Sequence, residues 1–317
     1  MLKIAAGQPM PTHDILAMPS YGLNHRLGGG LWTGRFSLVW GTPSAGKTTM
    51  LLHTLAEANR NGYHGVIVDT EGSITDPWME KCGIDINNRT VLQSTIVEEV
   101  LKEITPMMKD DKQKYIFLID SLNNLVPEAF HKEAEGSGGI AIGARARRLL
   151  IQKMSKYMSV DNAAILVAQQ TLDLSGSHPR LMAKIGNYEW HQMTNIIRLF
   201  ASSAKDSLER DDTSRILNRE VTWTIEKSKQ SPIEGASGKY WFSPQDAYID
   251  TTKELLDLAV KNNIITKGGP WFKYGDDYKA QGFDNICALL EDNEVVVEEI
   301  KQKLESIDFI TEVDEDA

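Results

Sequence analysis

Cysteine is nearly absent. The chain has two, Cys82 and Cys287, far apart and outside any metal-ligand spacing. That argues against a disulfide framework or a zinc site and suits reduced thiols in a cytoplasmic protein. Long apolar runs are missing as well. Ile116-Phe117-Leu118-Ile119 and the stretch from Ala163 to Ala168 fall far short of the roughly 20 residues needed to span a bilayer. Met1 to Ala6 has no extended apolar core, so neither a membrane anchor nor a secretory signal is expected. There is no overall basic excess either. Lys and Arg total 34 against 44 Asp and Glu, a net charge of -10, which excludes a chain coated with positive charge for non-specific nucleic-acid binding. The excess is local: residues 291–317 hold eleven acids and two lysines, -9 of the -10. A basic patch elsewhere stays open, and the acidic end is a separate feature.

Hydrophobic and charged fractions of 41% and 25% over 317 residues suit a globular chain of about two domains, or one larger domain with an extension. Residues 1–30 show little pattern and read as an extended N-terminal arm, a candidate for oligomerisation. Four apolar strands follow: Phe36–Trp40, Gly65–Asp69, Tyr115–Asp120 and Ala163–Ala168. Helical periods lie between them, as in Met50, Leu51, Leu55 and Ala58, or Leu150, Met154 and Met158. Apolar strands alternating with amphipathic helices predict an α/β fold with a mostly parallel sheet covered on both faces. Near residue 250 the texture changes to one helix, a Gly268-Gly269-Pro270 turn, an aromatic hairpin and two acidic helices. The expected division is an arm (1–30), an α/β core (31–250), a small α+β C-terminal domain (251–310) and an acidic tail (311–317).

Gly41-Thr42-Pro43-Ser44-Ala45-Gly46-Lys47-Thr48 matches the phosphate-loop pattern in full, with a strand before it and a helix after it. The glycines let backbone amides turn toward phosphate oxygens. The helix N-terminus favours the anion. Lys47 neutralises β/γ-phosphate charge, and the Thr48 hydroxyl is suited to Mg²⁺. Tyr115–Asp120, an apolar strand ending in a carboxylate, places Asp120 near that ion. Asp69 and Glu71 end a neighbouring strand and point to the same side; either is a candidate to orient and deprotonate an attacking water. Gln169-Gln170 ends the fourth strand, where a glutamine can report a γ-phosphate or be a plain polar strand end.

These residues, in this order and spacing, resemble the RecA family of homologous-recombination ATPases over roughly residues 20–310. The loop through Thr49, Asp69-Thr70-Glu71-Gly72, Asp120-Ser121 and Gln170 carry the resemblance. It implies a RecA-type P-loop core, ATP with Mg²⁺, Glu71 as catalytic base, and Gln170 as the link from γ-phosphate to a DNA loop. Lys227 and Lys229 match a family lysine pair that reaches a neighbouring subunit's ATP and stabilises transition-state charge; a solvated pair is the plainer alternative. Leu255 to Leu304 looks like the small C-terminal domain of bacterial members. Trp78 is a candidate adenine contact, with Met79 an equal alternative.

The resemblance places a first DNA loop over Gly136–Arg148, with three arginines and no acid. Arg145 and Ile140 are the matching positions, and Arg147 and Arg148 are added candidates. A second loop is expected from Thr171 to about Gly186, with His178, Arg180 and Lys184, closing on Gly186-Asn187. Ile185 stands where the family usually has glycine. Tyr188 and Trp190 either stack on bases or begin a helix and pack inward. The implied activity is DNA-dependent ATP hydrolysis, with filaments on single-stranded DNA that pair it with homologous duplex. A ring-forming motor of the same fold, or an ATP-binding mediator or structural filament, are the rivals. Lys47 falls earlier than in typical bacterial members, so the family's N-terminal helix is expected to be absent, which would suit a phage-encoded version acting in its host's cytoplasm. The acidic end is expected to be a solvated tail that competes with duplex DNA until salt screens it.

Overall fold

The computed structural model describes residues 12–132, 139–173, 180–204, 207–231, 233–307 and 312–313. Nine strands, numbered along the chain, form the path of one large sheet: β1 Phe36–Gly41, β2 Tyr63–Asp69, β3 Arg89–Leu92, β4 Lys114–Asp120, β5 Asn162–Ala168, β6 Met193–Ala201, β7 Ile216–Ser228, β8 Ala236–Ser243 and β9 Tyr248–Asp250. Their order is β9-β8-β7-β6-β1-β5-β4-β2-β3. From β6 to β3 all neighbours are parallel, and from β9 to β6 all are antiparallel.

Every residue of β1 and β5 is buried, as expected where helices cover both faces of a parallel sheet. Alternate side chains enter opposite layers. Val39, Ile67, Leu118 and Ile165 meet helix α1 (Lys47–Arg60) through Met50, Leu51 and Leu55. Leu38, Val68, Phe117 and Leu166 meet α2 (Val97–Lys109) and α3 (Gly139–Tyr157) through Val100, Ile104, Leu150 and Met154. The four expected apolar strands are therefore present, each within a residue or two of its expected start. The antiparallel wing β6–β8 was not expected as a unit. Its strands carry polar residues on their outer positions, and a register shift between Ile196 and Ile197 interrupts their alternation.

The C-terminal region packs α4 (Thr251–Lys261), a three-stranded antiparallel sheet (Thr266–Gly268, Trp271–Tyr274, Tyr278–Gln281), α5 (Phe283–Glu291) and α6 (Glu294–Glu305). Its apolar cluster is its own: Leu256, Ile265, Ile286, Leu290, Ile300 and Leu304.

The extended-arm expectation for residues 1–30 fails over the described part. Ile15–Leu16 pairs with Leu31–Trp32 of the same chain, and Leu16, Met18, Leu23 and Leu27 are buried in the core. The elements are two and six residues long, too short to show a period. Residues 1–11 lie outside the described residues. At the other end, Glu312–Val313 pairs with Ser237 and Ala236, so these two residues dock on β8 where a solvated tail was expected; 314–317 lie outside the description.

The short helix Tyr21–Arg26 is held by Glu254 of α4. Its carboxylate accepts hydrogen bonds from Ser20 Oγ (2.7 Å) and from the amides of Tyr21 (2.8 Å) and Gly22 (3.1 Å). Burial nevertheless wins, pushing the Glu254 carboxyl up to about 7, because removing a charge from water costs more than these bonds return. The folded state thus holds a proton that the unfolded state has lost. This contribution is present in full below about pH 4.5 and is lost as pH rises through 7. Urea midpoints measured between pH 5 and pH 8 should fall with pH in the parent chain and fall less in Glu254→Gln. Equal slopes would show that Glu254 does not titrate on folding.

Candidate active site

The phosphate-loop motif joins β1 to α1 at the carboxyl edge of the parallel strands, where open α/β sheets offer a crevice. Gly41 has φ 148°, and a Cβ there would lie 1.8 Å from the Leu199 carbonyl oxygen. Gly46 has φ 74°, with the Phe242 ring 3.1 Å from where a Cβ would sit. Both positions therefore require glycine. The loop is pinned from the sides. Thr42 Oγ1 accepts from the Ala201 amide at 2.9 Å, and Arg219 donates to the Ser44 carbonyl at 3.2 Å.

Lys47 curls back over the loop, its Nζ donating to the carbonyls of Gly41 (3.1 Å) and Thr42 (2.9 Å). Burial lowers its pKa, while the charges of Asp120 and Glu71 pull it back up. Thr48 Oγ1 donates to Asp120 Oδ2 at 2.5 Å. Burial raises the Asp120 carboxyl; the Thr48 bond opposes this and the neighbouring Glu71 charge adds to it. Together the loop, Glu71, Trp78, Asp120, Ser121, Gln169, Phe242 and Pro244 line a cleft of about 480 Å³.

The two strand-end acids separate clearly. Asp69 is buried and accepts from the amides of Glu71 (3.2 Å), Ser73 (3.3 Å) and Ile74 (3.0 Å). It holds the turn. Glu71 is exposed to the cleft, with Oε1 accepting from Ser121 Oγ (3.2 Å) and Asn124 Nδ2 (3.3 Å). Trp78 lines the cleft, whereas Met79 is buried in the core. Phe242 and Pro244 were missed by sequence reasoning. They sit on the antiparallel wing, and no spacing rule links that strand to the loop. Gln169 lines the cleft; the side chain of Gln170 is outside the described residues.

The donor set suits a hard divalent ion. Thr48 and Asp120 present oxygens side by side next to the phosphate loop, and no cluster of three or more His, Cys, Asp or Glu occurs among the described residues. That is the pattern of Mg²⁺ held by one or two protein oxygens together with phosphates and water.

The expected DNA elements are described only in part. Residues 133–138 and the side chain of Ile140 lie outside the description; the chain is helical from Gly139. Arg145 and Arg148 line a second cavity of about 420 Å³ with Phe130 and Leu149, and Arg148 also lies over the Tyr188 ring at 5.1 Å. Arg147 does not join them. It turns inward, and its Nε meets Glu189 Oε1 at 3.3 Å with both side chains nearly buried, so it ties α3 to the short helix Asn187–Gln192 and does not face solvent. The second loop begins and ends as a hairpin, with Gln170–Asp173 paired to Arg180–Ala183. Residues 174–179, including His178, and the Arg180 side chain are outside the description. Lys184 is exposed. Gly186 caps helix Asn187–Gln192, its amide donating to Glu189 Oε2 at 3.2 Å. Ile185, Tyr188 and Trp190 pack half-buried against the core.

Lys227 and Lys229 donate to the carbonyls of Trp190 (2.5 Å) and His191 (2.6 Å). Burial, and then the Lys229 charge, lower the Lys227 pKa. Lys227 lies opposite Ile196, itself beside Leu38 near the start of β1. The phosphate loop leaves β1 at its other end, so the pair is roughly 10–17 Å away along the strands.

No helix among the described residues is long and apolar enough to cross a membrane. The family model for the RecA N-terminal domain matches residues 2–180, and that for the RecA C-terminal domain matches residues 253–306. Similar proteins include Protein RecA of Chlorobaculum tepidum, 28% identical over 296 residues that cover 92% of this chain and 83% of that protein. Protein RecA of Mycoplasmopsis pulmonis is 29% identical over 92% of this chain and 84% of its own length. For Protein RecA of Cereibacter sphaeroides the values are 26%, 98% and 90%.

Proposed function

The chain belongs to the RecA family, and from that premise we propose that it is a DNA-dependent ATPase acting as a recombinase. In this reading it assembles on single-stranded DNA as a filament and pairs that strand with homologous duplex. The observation that carries the proposal is the meeting of Lys47, the Thr48–Asp120 pair and Glu71 in one cleft beside the root of the 170–183 hairpin.

The loop amides and Lys47 bind the ATP phosphates, and Trp78 with Phe242 lies against the base. Thr48 and Asp120 would hold Mg²⁺, which would supply neutralisation of phosphate charge. Glu71 orients a water and takes its proton as the water oxygen bonds to the γ-phosphorus and the bond to the ADP oxygen breaks. Lys227 and Lys229 are too far from their own loop to assist it, which favours action on a neighbouring subunit's ATP. The DNA face is drawn from Ile140, Arg145, Arg148, Arg180, Lys184, Gly186 and Asn187, with Gln170 between nucleotide and hairpin. Arg147 is left out of it as a buried ion-pair partner. The division into a core of 31–250 and a small unit of 251–310 is part of the same proposal, supported by the separate apolar cluster.

Electron micrographs of the purified protein with ATP and single-stranded DNA test the assembly. Helical filaments are expected; closed rings would favour a ring motor, and the absence of both would contradict any assembly on DNA. In Lys227→Ala, ATP-dependent affinity for single-stranded DNA should fall about tenfold, as the charge that couples a neighbour's nucleotide to DNA binding is lost, read by fluorescence anisotropy. The loss belongs to filaments alone. An equal loss in free monomers would refute action between subunits.

A further inference from the structure

The turn after β4 carries two adjacent asparagines, Asn123 and Asn124, that no phosphate-loop role accounts for. Both are half-buried, and both are hydrogen-bonded through oxygen and nitrogen. Asn123 Oδ1 accepts from the Gln169 amide at 2.7 Å, and its Nδ2 donates to the Lys184 carbonyl at 2.6 Å. Lys184 in turn donates its amide to the Gln169 carbonyl at 2.7 Å. One carboxamide therefore bridges the two chains that enter and leave the 170–183 hairpin, at its root. Asn124 faces the other way. Its Nδ2 lies 3.3 Å from both Glu71 Oε1 and Thr70 Oγ1, and its Oδ1 accepts from Gln169 Nε2 at 3.3 Å.

We propose that Asn123 and Asn124 are positioning residues that couple the seating of the hairpin root to the orientation of the Glu71 carboxylate. The two side chains sit on one three-residue turn, Leu122–Asn124, anchored by buried Leu122 and Leu125. A shift of the hairpin root moves the Lys184 carbonyl and the Gln169 backbone, and through them the turn. Asn124 then changes its hold on Glu71, whose other side-chain donor is Ser121. The asparagines supply a bonded path from the hairpin root to Glu71. The path rests on the functional reading above.

The test is ATP hydrolysis by the full chain with and without single-stranded DNA, for the parent, Asn123→Ala, Asn123→Asp, Asn124→Ala and the double alanine variant. Asn123→Asp keeps the acceptor for the Gln169 amide and loses the donor to the Lys184 carbonyl at almost unchanged size, so it serves if the alanine variant folds poorly. Both Asn123 variants should keep DNA-free turnover within about twofold and lose about tenfold of the DNA stimulation. Asn124→Ala should lower kcat with the KM for ATP unchanged. The double variant should be no worse than the worse single, because members of one path are non-additive. Full DNA stimulation in the Asn123 variants, or additive losses in the double, overturns the relay alone. A parent chain that ignores DNA overturns the functional reading as well, and is seen before any variant is made.

Discussion

Lys47→Ala should reduce ATP turnover by about a thousandfold or more, the scale of removing a preorganised charge from a transferring phosphoryl group. The side chain is already poised, held over the loop by the Gly41 and Thr42 carbonyls. Those two bonds are replaceable by water when the lysine is gone, so the fold should survive with little change in thermal midpoint. Calorimetric titration should show the lost affinity for ATP with Mg²⁺ directly. Retained DNA-stimulated turnover in this variant would refute the site.

Glu71→Gln should separate binding from chemistry. Glutamine keeps the size of the side chain and an oxygen to accept from Ser121 and Asn124. It cannot accept a proton from water. Turnover should fall by roughly 10²–10⁴, while ATP affinity stays within a fewfold. DNA complexes formed with ATP should persist, because in this reading nucleotide binding holds the DNA-bound state and hydrolysis releases it. The contrast is Asp69→Asn. Asp69 caps three backbone amides from a buried position, so its loss should appear first in stability, on the order of 1–3 kcal/mol for unsatisfied buried groups. If Asp69→Asn abolished turnover without destabilising the chain, and Glu71→Gln did neither, the two roles would be reversed.

Four of the six parallel strands were legible because they are mostly buried and read as unbroken apolar runs; β3, half-buried along its length, and β6, interrupted by Thr194, Asn195 and Arg198, were not. The phosphate loop was legible because only certain residue types permit its backbone. Sequence alone left Asp69 and Glu71 as rivals, since strand alternation points them the same way; what separates them is a turn that consumes one carboxylate. Arg147 looked like its neighbours in a basic run. It differs because helical periodicity sends it inward, and Glu189, forty-two residues later, is placed to meet it. Phe242 and the asparagine turn were invisible for a related reason. Their partners come from distant strands, and a sheet order that folds β8 back beside the loop cannot be read from local pattern.

The central claim is that this cleft hydrolyses ATP in response to DNA. The measurement that meets it most directly is the steady-state rate of ATP hydrolysis by the purified chain with Mg²⁺, in the absence and presence of single-stranded DNA. The account predicts slow turnover alone and a rise of tenfold or more with DNA, abolished by Lys47→Ala. A rate that is the same with and without DNA would contradict it.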